Sequence, residues 1–387
     1  MGETLVPFAL VAAAAVIGVL AWRGDPRLLP LAMLFPALWS AARSRVTALL
    51  VSAAYFLAAS RGLPQGIATF FSRDLLTGIV LWLVASTSFV FVHTALWTGA
   101  SAGRRAVRYA LAMILMAIPP FGIAGWAHPI TAAGVIFPER GWAGMLASFV
   151  LLTSLVLGRR WVPIMAFLGL WGVGVCHWQQ PTMPGGWVGL DTHFRDIFGA
   201  GTAYAVQAET IALVKAAVAH GPGVAVLPES AAGQWTDTVE HLWAESLKGT
   251  HTLVVLGATL VTRHGYDNVL MAVTAAGGHV VYRERMPVPV SMWRPWDDWM
   301  GSGGGTRADF FANPSMMVAG RRAAPLICYE QLIVWPVLQS MLHKPDLIIG
   351  VGNGWWADGT SIIAIQRASI EAWARLFGLP LVLASNT

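Results

Sequence analysis

The chain has 387 residues, of which 56% are hydrophobic and only 12% are charged. An ordinary soluble domain carries about 25% charged residues, so the composition excludes a wholly soluble globular protein and indicates a membrane protein. The net charge of +5 comes from arginines and three lysines scattered between apolar segments, a distribution that argues against nucleic acid as a partner.

Apolar segments dominate the first half of the chain, and we predict a polytopic α-helical membrane region of about seven transmembrane helices over residues 1–178. The first segment has no basic leader and no clear cleavage site, so we interpret it as a retained helix. Crossing a bilayer core of roughly 30 Å takes about 20 residues, and several segments are shorter. The seven segments are 4–22, 28–42, 46–60, 75–97, 107–126, 141–158 and 161–176.

Positive charge between these segments predicts the topology, because short cytoplasmic loops carry an excess of arginine and lysine. The arginines without acidic neighbours fall in alternate loops. This pattern predicts a cytoplasmic N-terminus, and an odd number of crossings then places everything after Cys176 outside the cytoplasm, in the periplasm of a bacterium. The arginines concerned are Arg43, Arg45, Arg104, Arg105, Arg108, Arg159 and Arg160.

A turn-rich linker at residues 179–186 separates the helical region from a second domain, which we place at residues 187–387. Predicted strands alternate with predicted helices there, which is typical of a layered α/β domain. The strands lie near 223–228, 252–259, 268–274, 278–283, 324–328 and 346–351, and the helices near 203–219, 331–342 and 361–377.

Two chemically active residues stand at the ends of apolar strands in this second domain. Cys328 ends the run at 325–327, and Glu229 follows the run at 223–228. A thiol and a carboxylate so placed suit acyl transfer through a covalent thioester, in which Glu229 takes the thiol proton. A buried structural cysteine and a helix-capping glutamate are the alternatives for either residue alone. Cys176 is the second cysteine, and a disulfide with Cys328 stays open.

Four sequence blocks resemble, in order and spacing, the carbon-nitrogen hydrolase (nitrilase) superfamily. The similarity extends over about residues 188–387. Within the superfamily, the membrane branch, the apolipoprotein N-acyltransferases, is the most similar, and the helical region before residue 188 is of the type expected in that branch. The stretch from Arg285 through Trp296 is also similar to a plasmid-borne variant of that branch that acts in conjugal transfer. The blocks are Leu-Pro-Glu-Ser at 227–230, the stretch 282–289, Ile-Cys-Tyr-Glu at 327–330 and Gly-Asn-Gly-Trp-Trp at 352–356.

The resemblance implies the four-layer αββα sandwich of nitrilases and assigns roles to matching residues. Glu229 matches the family's general base, Cys328 its nucleophile and Glu330 its supporting glutamate. Family members continue past the strand that residues 384–387 match, so we expect the domain to be truncated at its C-terminus.

One departure puts the activity in doubt, because the family's oxyanion-stabilising lysine is absent. Gapless alignment places Glu284 at that position, and the three lysines lie elsewhere. Two rescues are open: Arg285 enters the site through a β-bulge, or the backbone N–H of Tyr329 holds the oxyanion alone. A degenerate site with little activity is the third interpretation.

Substrate-binding residues are expected from the same blocks and from a tryptophan-rich stretch. Tryptophans three residues apart suit an interfacial arm through which a lipid reaches Cys328, although core packing of the same indoles stays open. The glycine-rich run 301–306 suits a lid hinge. Histidine spacing indicates no metal site, and no cofactor is expected. The expected substrate-binding residues are Tyr329, Asn353, Trp355, Trp293 and Trp296.

Two functions fit these observations. In the first, a multi-pass protein of the bacterial inner membrane transfers an acyl chain from a phospholipid through the Cys328 thioester to an amine, such as the N-terminus of a lipoprotein. In the second, an accessory protein of plasmid conjugal transfer keeps a divergent nitrilase-like domain, either inactive or differently active, that binds or modifies an envelope component.

Overall fold

The computed structural model describes residues 2–124, 126–158, 161–194, 200–219, 221, 223–263, 265–300 and 304–387, and the side chains within them except those of 2–5, 200–203 and 298–299. Internal packing divides the chain into two units. Unit 1 comprises residues 1–181, 332–335 and 359–378, and unit 2 comprises residues 182–331, 336–358 and 379–387. The predicted linker contains the first boundary between them.

Unit 1 is helical, and every predicted apolar segment coincides with helix. Its helices are α1 (Gly2–Ala21), α2 (Phe35–Ala41), α3 (Arg45–Ala59), α4 (Leu63–Phe71), α5 (Leu75–Leu96), α6 (Ala102–Ala117), α7 (Ala133–Ile136), α8 (Gly141–Ser154) and α9 (Trp161–Cys176).

The helices differ from the prediction in three places. The second segment begins as a 3-10 helix, Pro26–Leu34, in which Pro30 lacks the N–H that an α-helix needs. The short helix α4 was not predicted, and it bends 55° away from α3. The fifth segment is helical only in its first part, because α6 ends at Ala117, shortly before the proline pair Pro119 and Pro120.

Among the described residues, fewer helices than the seven predicted are long and apolar enough to cross a membrane. Among the described residues, Leu75–Leu96 passes alone, and α3 and α4 pass only if the bent pair is one span. Three shorter apolar helices, Val6–Ala21, Gly141–Ser154 and Trp161–Cys176, fall below the length of a full crossing. The structure therefore leaves the seven-helix membrane region unconfirmed.

Close backbone approach at small residues organises unit 1. A Cβ on Gly18 of α1 would lie 2.5 Å from the carbonyl oxygen of Tyr55 on α3. Helix α14 (Ile362–Phe377), which the sequence assigned to the second domain, groups with unit 1. It contacts α7 so closely that a Cβ on Gly134 would lie 1.7 Å from the Ala372 carbonyl oxygen. A glycine is therefore needed at this crossing.

Unit 2 contains two β-sheets that share one hydrophobic core. The first has the order β1 (Trp187–Gly189), β2 (Val224–Val226), β3 (Leu253–Thr262), β4 (Gly265–Thr274) and β5 (Gly277–Arg283); β1 to β3 run parallel and β3 to β5 antiparallel. The second has the order β6 (Met316–Val318), β7 (Arg321–Ile327), β8 (Leu347–Asn353) and β9 (Leu381–Asn386), with only the β6–β7 pair antiparallel.

Alternation along the strands sorts side chains between two cores. Val224 and Val226 of β2 lie in the core between the sheets, together with Ile327 and Val351 of the second sheet. Ala225, on the opposite face of β2, packs against helices α10 (Ala200–Val218) and α11 (Asp237–Ser246). Two facing sheets with helices outside the first confirm the layered α/β domain predicted from the sequence. The remaining helices of unit 2 are α12 (Pro295–Met300) and α13 (Val334–Met341), the latter beginning at the unit boundary.

We predict that Gly134→Ala destabilises unit 1 by about 1 to 3 kcal/mol, because the new methyl group forces α7 and α14 apart. The measurement is the thermal unfolding midpoint of the purified protein in detergent. Gly169→Ala in α9 is the matched control, since a Cβ there meets no atom within 4 Å. An equal midpoint for Gly134→Ala and Gly169→Ala would contradict the close approach.

Candidate active site

Cys328 lies immediately after β7, at a sharp turn of the chain. The strand is buried from Ala323 to Ile327, and Cys328 begins a 3-10 turn, Cys328–Gln331. Its φ of 44° lies in the left-handed region, which costs a non-glycine residue free energy and is common at functional sites. The thiol belongs to no disulfide, and neither does that of Cys176. Cys328 is thus a buried thiol on a strained turn.

Glu330 holds this turn in place. Its fully buried carboxylate accepts hydrogen bonds from the backbone N–H groups of Ile327 at 2.9 Å, Arg285 at 2.9 Å and Met286 at 3.3 Å. The hydroxyl of Tyr282 donates to the same carboxylate at 2.7 Å. Glu330 therefore joins the nucleophile turn to the segment after β5 and acts on Cys328 through the backbone.

Arg285 does not take the place of the missing lysine. Its guanidinium is completely buried and lies 3.5 Å from the Glu330 carboxylate. Nε, the atom nearest Glu330, donates to the Tyr282 hydroxyl, and the two terminal nitrogens donate to the side chains of Gln339 and Ser340 and to the Pro325 carbonyl. A bulge does occur in β5, where the pairing with β4 slips between Leu270 and Met271. It leaves Arg285 beside Glu330, so the expected rescue by Arg285 is not seen.

Glu229 follows β2 and lies against the thiol. The carboxylate accepts hydrogen bonds from the Asn268 side-chain amide at 2.8 Å and from the Asn353 backbone N–H at 3.0 Å. It also forms a side-chain hydrogen bond with Cys328. Gly257 of β3 permits this position, since a Cβ there would lie 2.5 Å from the Glu229 Cα. The structure thus brings the expected base and nucleophile into direct contact.

Glu284, which the gapless alignment places at the position of the family's lysine, is buried beside Glu229. It stands two residues beyond Tyr282, whose ring lies in the inter-sheet core, and so projects from the same face. Its carboxyl accepts from the same Asn268 amide group at 2.9 Å, so one amide bridges Glu284 and Glu229. Three buried acids, Glu229, Glu284 and Glu330, therefore cluster near the thiol.

Asn268 was missed by the sequence analysis. It lies on β4 and is 2% exposed, beside Asp267 at the beginning of an apolar strand run. The sequence feature that could have identified Asn268 is a side-chain amide inside an apolar strand, because a buried polar group without a hydrogen bond is unfavourable. This feature predicts a hydrogen-bond partner but not which residue it is, since the partners are distant in sequence.

Burial controls the protonation of these groups. Burial raises the pKa of Glu229 to about 7, against the opposing hydrogen bonds from Asn268, Cys328 and Asn353. Burial, with the neighbouring carboxyl groups of Glu229 and Glu284, raises the pKa of the Cys328 thiol well above its ordinary range. The thiol is therefore neutral at neutral pH, where ionised Glu229 is the group placed to accept its proton, and it ionises directly only at alkaline pH.

The expected substrate-binding residues fall into two groups. Asn353 and Tyr329 adjoin Cys328 and Glu229. Asn353 donates its N–H to Glu229 and accepts at Oδ1 from Asn386 at 2.9 Å, and Tyr329 follows Cys328 in the chain. Trp355 is half-buried in a 3-10 turn, Trp355–Ala357, next to Asn353.

The tryptophan-rich stretch contains one packed and one exposed indole. The half-buried Trp293 ring packs edge-on against Phe310, with 5.2 Å between centroids. Trp296, on α12, is 37% exposed. Residues 301–303 of the expected lid hinge and the Trp299 side chain lie outside the described part of the structure.

We predict that Glu229→Gln accelerates alkylation of Cys328 by iodoacetamide at alkaline pH, because loss of the neighbouring charge lowers the pKa of the thiol. The test is the alkylation rate followed by mass spectrometry in a Cys176→Ser background. An unchanged or slower rate in Glu229→Gln would show that the carboxylate does not act on the thiol electrostatically.

Comparisons with known proteins identify the family of the chain. The profile of the carbon-nitrogen hydrolase family matches residues 236–375. The chain is 53% identical over 386 residues to a probable conjugal transfer protein TraB of Sinorhizobium fredii, covering 100% of this chain and 99% of that protein. It is 49% identical to the conjugal transfer protein TraB of Agrobacterium fabrum, covering 98% and 92%.

Solved structures show weaker similarity. An amidase from Nesterenkonia sp. matches with a TM-score of 0.38 and 13% identity, over 52% of this chain and 74% of that one. A carbon-nitrogen hydrolase from Helicobacter pylori matches with a TM-score of 0.36 and 13% identity, over 51% and 72%. On the full-length relatives and the family profile, the chain belongs to the family of conjugal transfer protein TraB and carries a domain of the carbon-nitrogen hydrolase (nitrilase) superfamily.

Proposed function

We propose that this protein acts in plasmid conjugal transfer as a membrane-embedded accessory protein with an acylatable cysteine. Its relatives along nearly the whole chain are named for conjugal transfer. The observation that carries the chemical part is the buried hydrogen bond between Cys328 and Glu229. In a domain without catalytic activity, nothing would require a thiol on a strained turn to stay in contact with a buried carboxylate.

The chemistry that this pair supports is acyl transfer. The Cys328 sulfur attacks the carbonyl carbon of an ester while the thiol proton passes to Glu229. The C–O bond then breaks, the departing alkoxide takes the proton from Glu229, and a thioester remains. An amine attacks that thioester, giving an amide and returning the thiol. The proposed donor is a phospholipid and the proposed acceptor an envelope amine, such as the N-terminus of a lipoprotein.

A bilayer as the setting is supported by the surface of unit 1. Large apolar side chains are exposed on its helices, among them Leu76 at 67%, Val107 at 69% and Trp161 at 70%. In the apolar window of α5 only 22% of residues are buried. Exposed apolar surface of this extent is unfavourable in water, whereas lipid solvates it.

Contacts inside unit 1 support the proposal that arginine-rich loops and the intervening loops lie on opposite sides of the membrane, as the seven-crossing topology requires. Arg105 donates a hydrogen bond to the Ser40 carbonyl at 2.7 Å, so two arginine-rich loops lie on one side. Arg61 donates to the Trp22 carbonyl at 3.1 Å, which joins two of the intervening loops. The proposed location is the bacterial inner membrane, with unit 2 in the periplasm. Arg159 and Arg160, which the topology also uses, lie outside the described residues.

A non-catalytic function is the second candidate, and Glu284 is the observation that favours it. Where the superfamily has a cation beside its nucleophile, this chain has a third carboxyl group. Under this alternative the nitrilase-like domain binds an envelope component without forming a covalent bond, and Cys328 is dispensable.

Mating efficiency tests these functions against each other. The chain is supplied to a donor strain whose conjugative plasmid lacks its TraB gene. We expect the unaltered chain to restore transfer and Cys328→Ala to fail, while the matched control Cys176→Ala restores it. Restoration by Cys328→Ala would favour the binding alternative, and failure of the unaltered chain would contradict a function in transfer.

For topology, we predict that alkaline phosphatase fused after residue 186 is active and that a fusion at Arg104 is inactive, because the enzyme folds only outside the cytoplasm. Activity at Arg104 combined with inactivity after residue 186 would reverse the proposed orientation.

A further inference from the structure

Glu284 is a buried acid with unused hydrogen-bonding capacity. It is 3% exposed, and Oε2 accepts from Asn268. Oε1 is buried and has no hydrogen-bond partner among the described residues, and Oδ1 of Asn268 is in the same situation. No described cation forms an ion pair with Glu284 either. A charged carboxylate in such a place is costly, which favours the neutral acid.

The hydrogen bonds show which of the two bridged acids keeps a proton. Glu229 accepts from two N–H groups, those of Asn268 and Asn353, whereas Glu284 accepts from Asn268 alone. N–H donors stabilise the charged form of a carboxyl group. Glu229 is therefore the more easily ionised acid, and Glu284 is the acid that stays neutral.

The groups around Glu284 reinforce this division. Burial, and then the charges of Glu229 and Glu330, raises the pKa of Glu284 well above its ordinary range. Cys328 and Tyr266 also lie close enough to interact electrostatically with Glu284, and neither is a cation. Arg285 adjoins Glu284 in sequence, but its guanidinium is bonded to Tyr282, Glu330, Gln339, Pro325 and Ser340.

We propose that Glu284, as a neutral carboxylic acid, donates a hydrogen bond to the oxyanion that forms when Cys328 attacks the acyl carbonyl. This inference rests on the acyl-transfer chemistry proposed above. The S–C bond forms, the thiol proton goes to Glu229, and the carbonyl electron pair moves to oxygen, where the Glu284 O–H meets it. The Glu284 proton stays on Glu284, and the oxyanion collapses as the C–O bond breaks.

This arrangement gives a pH dependence with two limbs. The acylation rate rises as Glu229 ionises, with a pKa of about 7, because only ionised Glu229 accepts the thiol proton. The rate falls at higher pH as Glu284 loses the proton that it donates. A lysine in the same place would carry charge and donor together, whereas a carboxylic acid supplies the donor without the charge.

The test is pre-steady-state acylation of the full-length protein in detergent by p-nitrophenyl octanoate, read as the burst of nitrophenol. Glu284→Met removes the donor at similar length and should lower the burst rate by about a hundredfold to a thousandfold. Glu284→Gln keeps an N–H donor, so it should be much faster than Glu284→Met, and it should lack the alkaline decrease. The matched control is Glu245→Gln, whose carboxylate lies in an exposed ion pair with Lys248; its burst rate should equal that of the unaltered protein.

Each result is decisive. A burst rate in Glu284→Met equal to that of the unaltered protein, equally slow Glu284→Gln and Glu284→Met variants, or an alkaline decrease that persists in Glu284→Gln would overturn the inference and leave acyl transfer standing. If the unaltered protein shows no burst, the acyl-transfer chemistry fails and the inference with it. Should Glu284→Met not fold, Glu284→Gln and the two pH profiles decide.

Discussion

The carboxylate of Glu330 connects the two pieces of chain on which the site depends. It accepts hydrogen bonds from Ile327, just before the nucleophile, and from Arg285 and Met286, just after Glu284. These bonds fix the strained turn at Cys328 relative to the acid at the lysine position. The buried guanidinium of Arg285 compensates the charge of Glu330, so the carboxylate keeps a charged partner although it is excluded from water.

With the only buried cation of the described site committed to Glu330, the thiol is left in an acidic environment. The Asn268 amide then becomes the main polar contact between Glu229 and Glu284. Two acids that share one amide donor and no cation do not both ionise at neutral pH. In the proposed chemistry the site is therefore organised around one mobile proton, which passes between Cys328 and Glu229, and one proton retained on Glu284.

Strand periodicity predicted the parts of the site that lie at strand ends. Cys328 and Glu229 each follow a continuous apolar run, and the structure places these two residues in contact. The position of the Arg285 side chain stayed open in the sequence, because whether it faces Glu330 or the thiol depends on three-dimensional packing. Asn268 was missed for the same reason, since its partners are 39 and 16 residues away in sequence.

The fold was predictable to a similar degree. Apolar segments located the helices of unit 1, but helix α4 and the 3-10 start of the second segment depend on local proline and packing effects. Helix α14 groups with unit 1 through a close contact at Gly134, which has no side chain. The spacing of apolar residues along the sequence does not predict such a contact. The number of membrane crossings is the least predictable property, because several helices are shorter than the thickness of the bilayer core requires.

The central claim is that Cys328 forms an acyl thioester although the family lysine is absent. Intact mass spectrometry of protein purified from donor-cell membranes tests it most directly. The account predicts an acyl mass on the peptide that contains Cys328, released by hydroxylamine and missing from Glu229→Gln. A chain that carries no such mass under any growth condition, or one that keeps it in Glu229→Gln, would contradict the account.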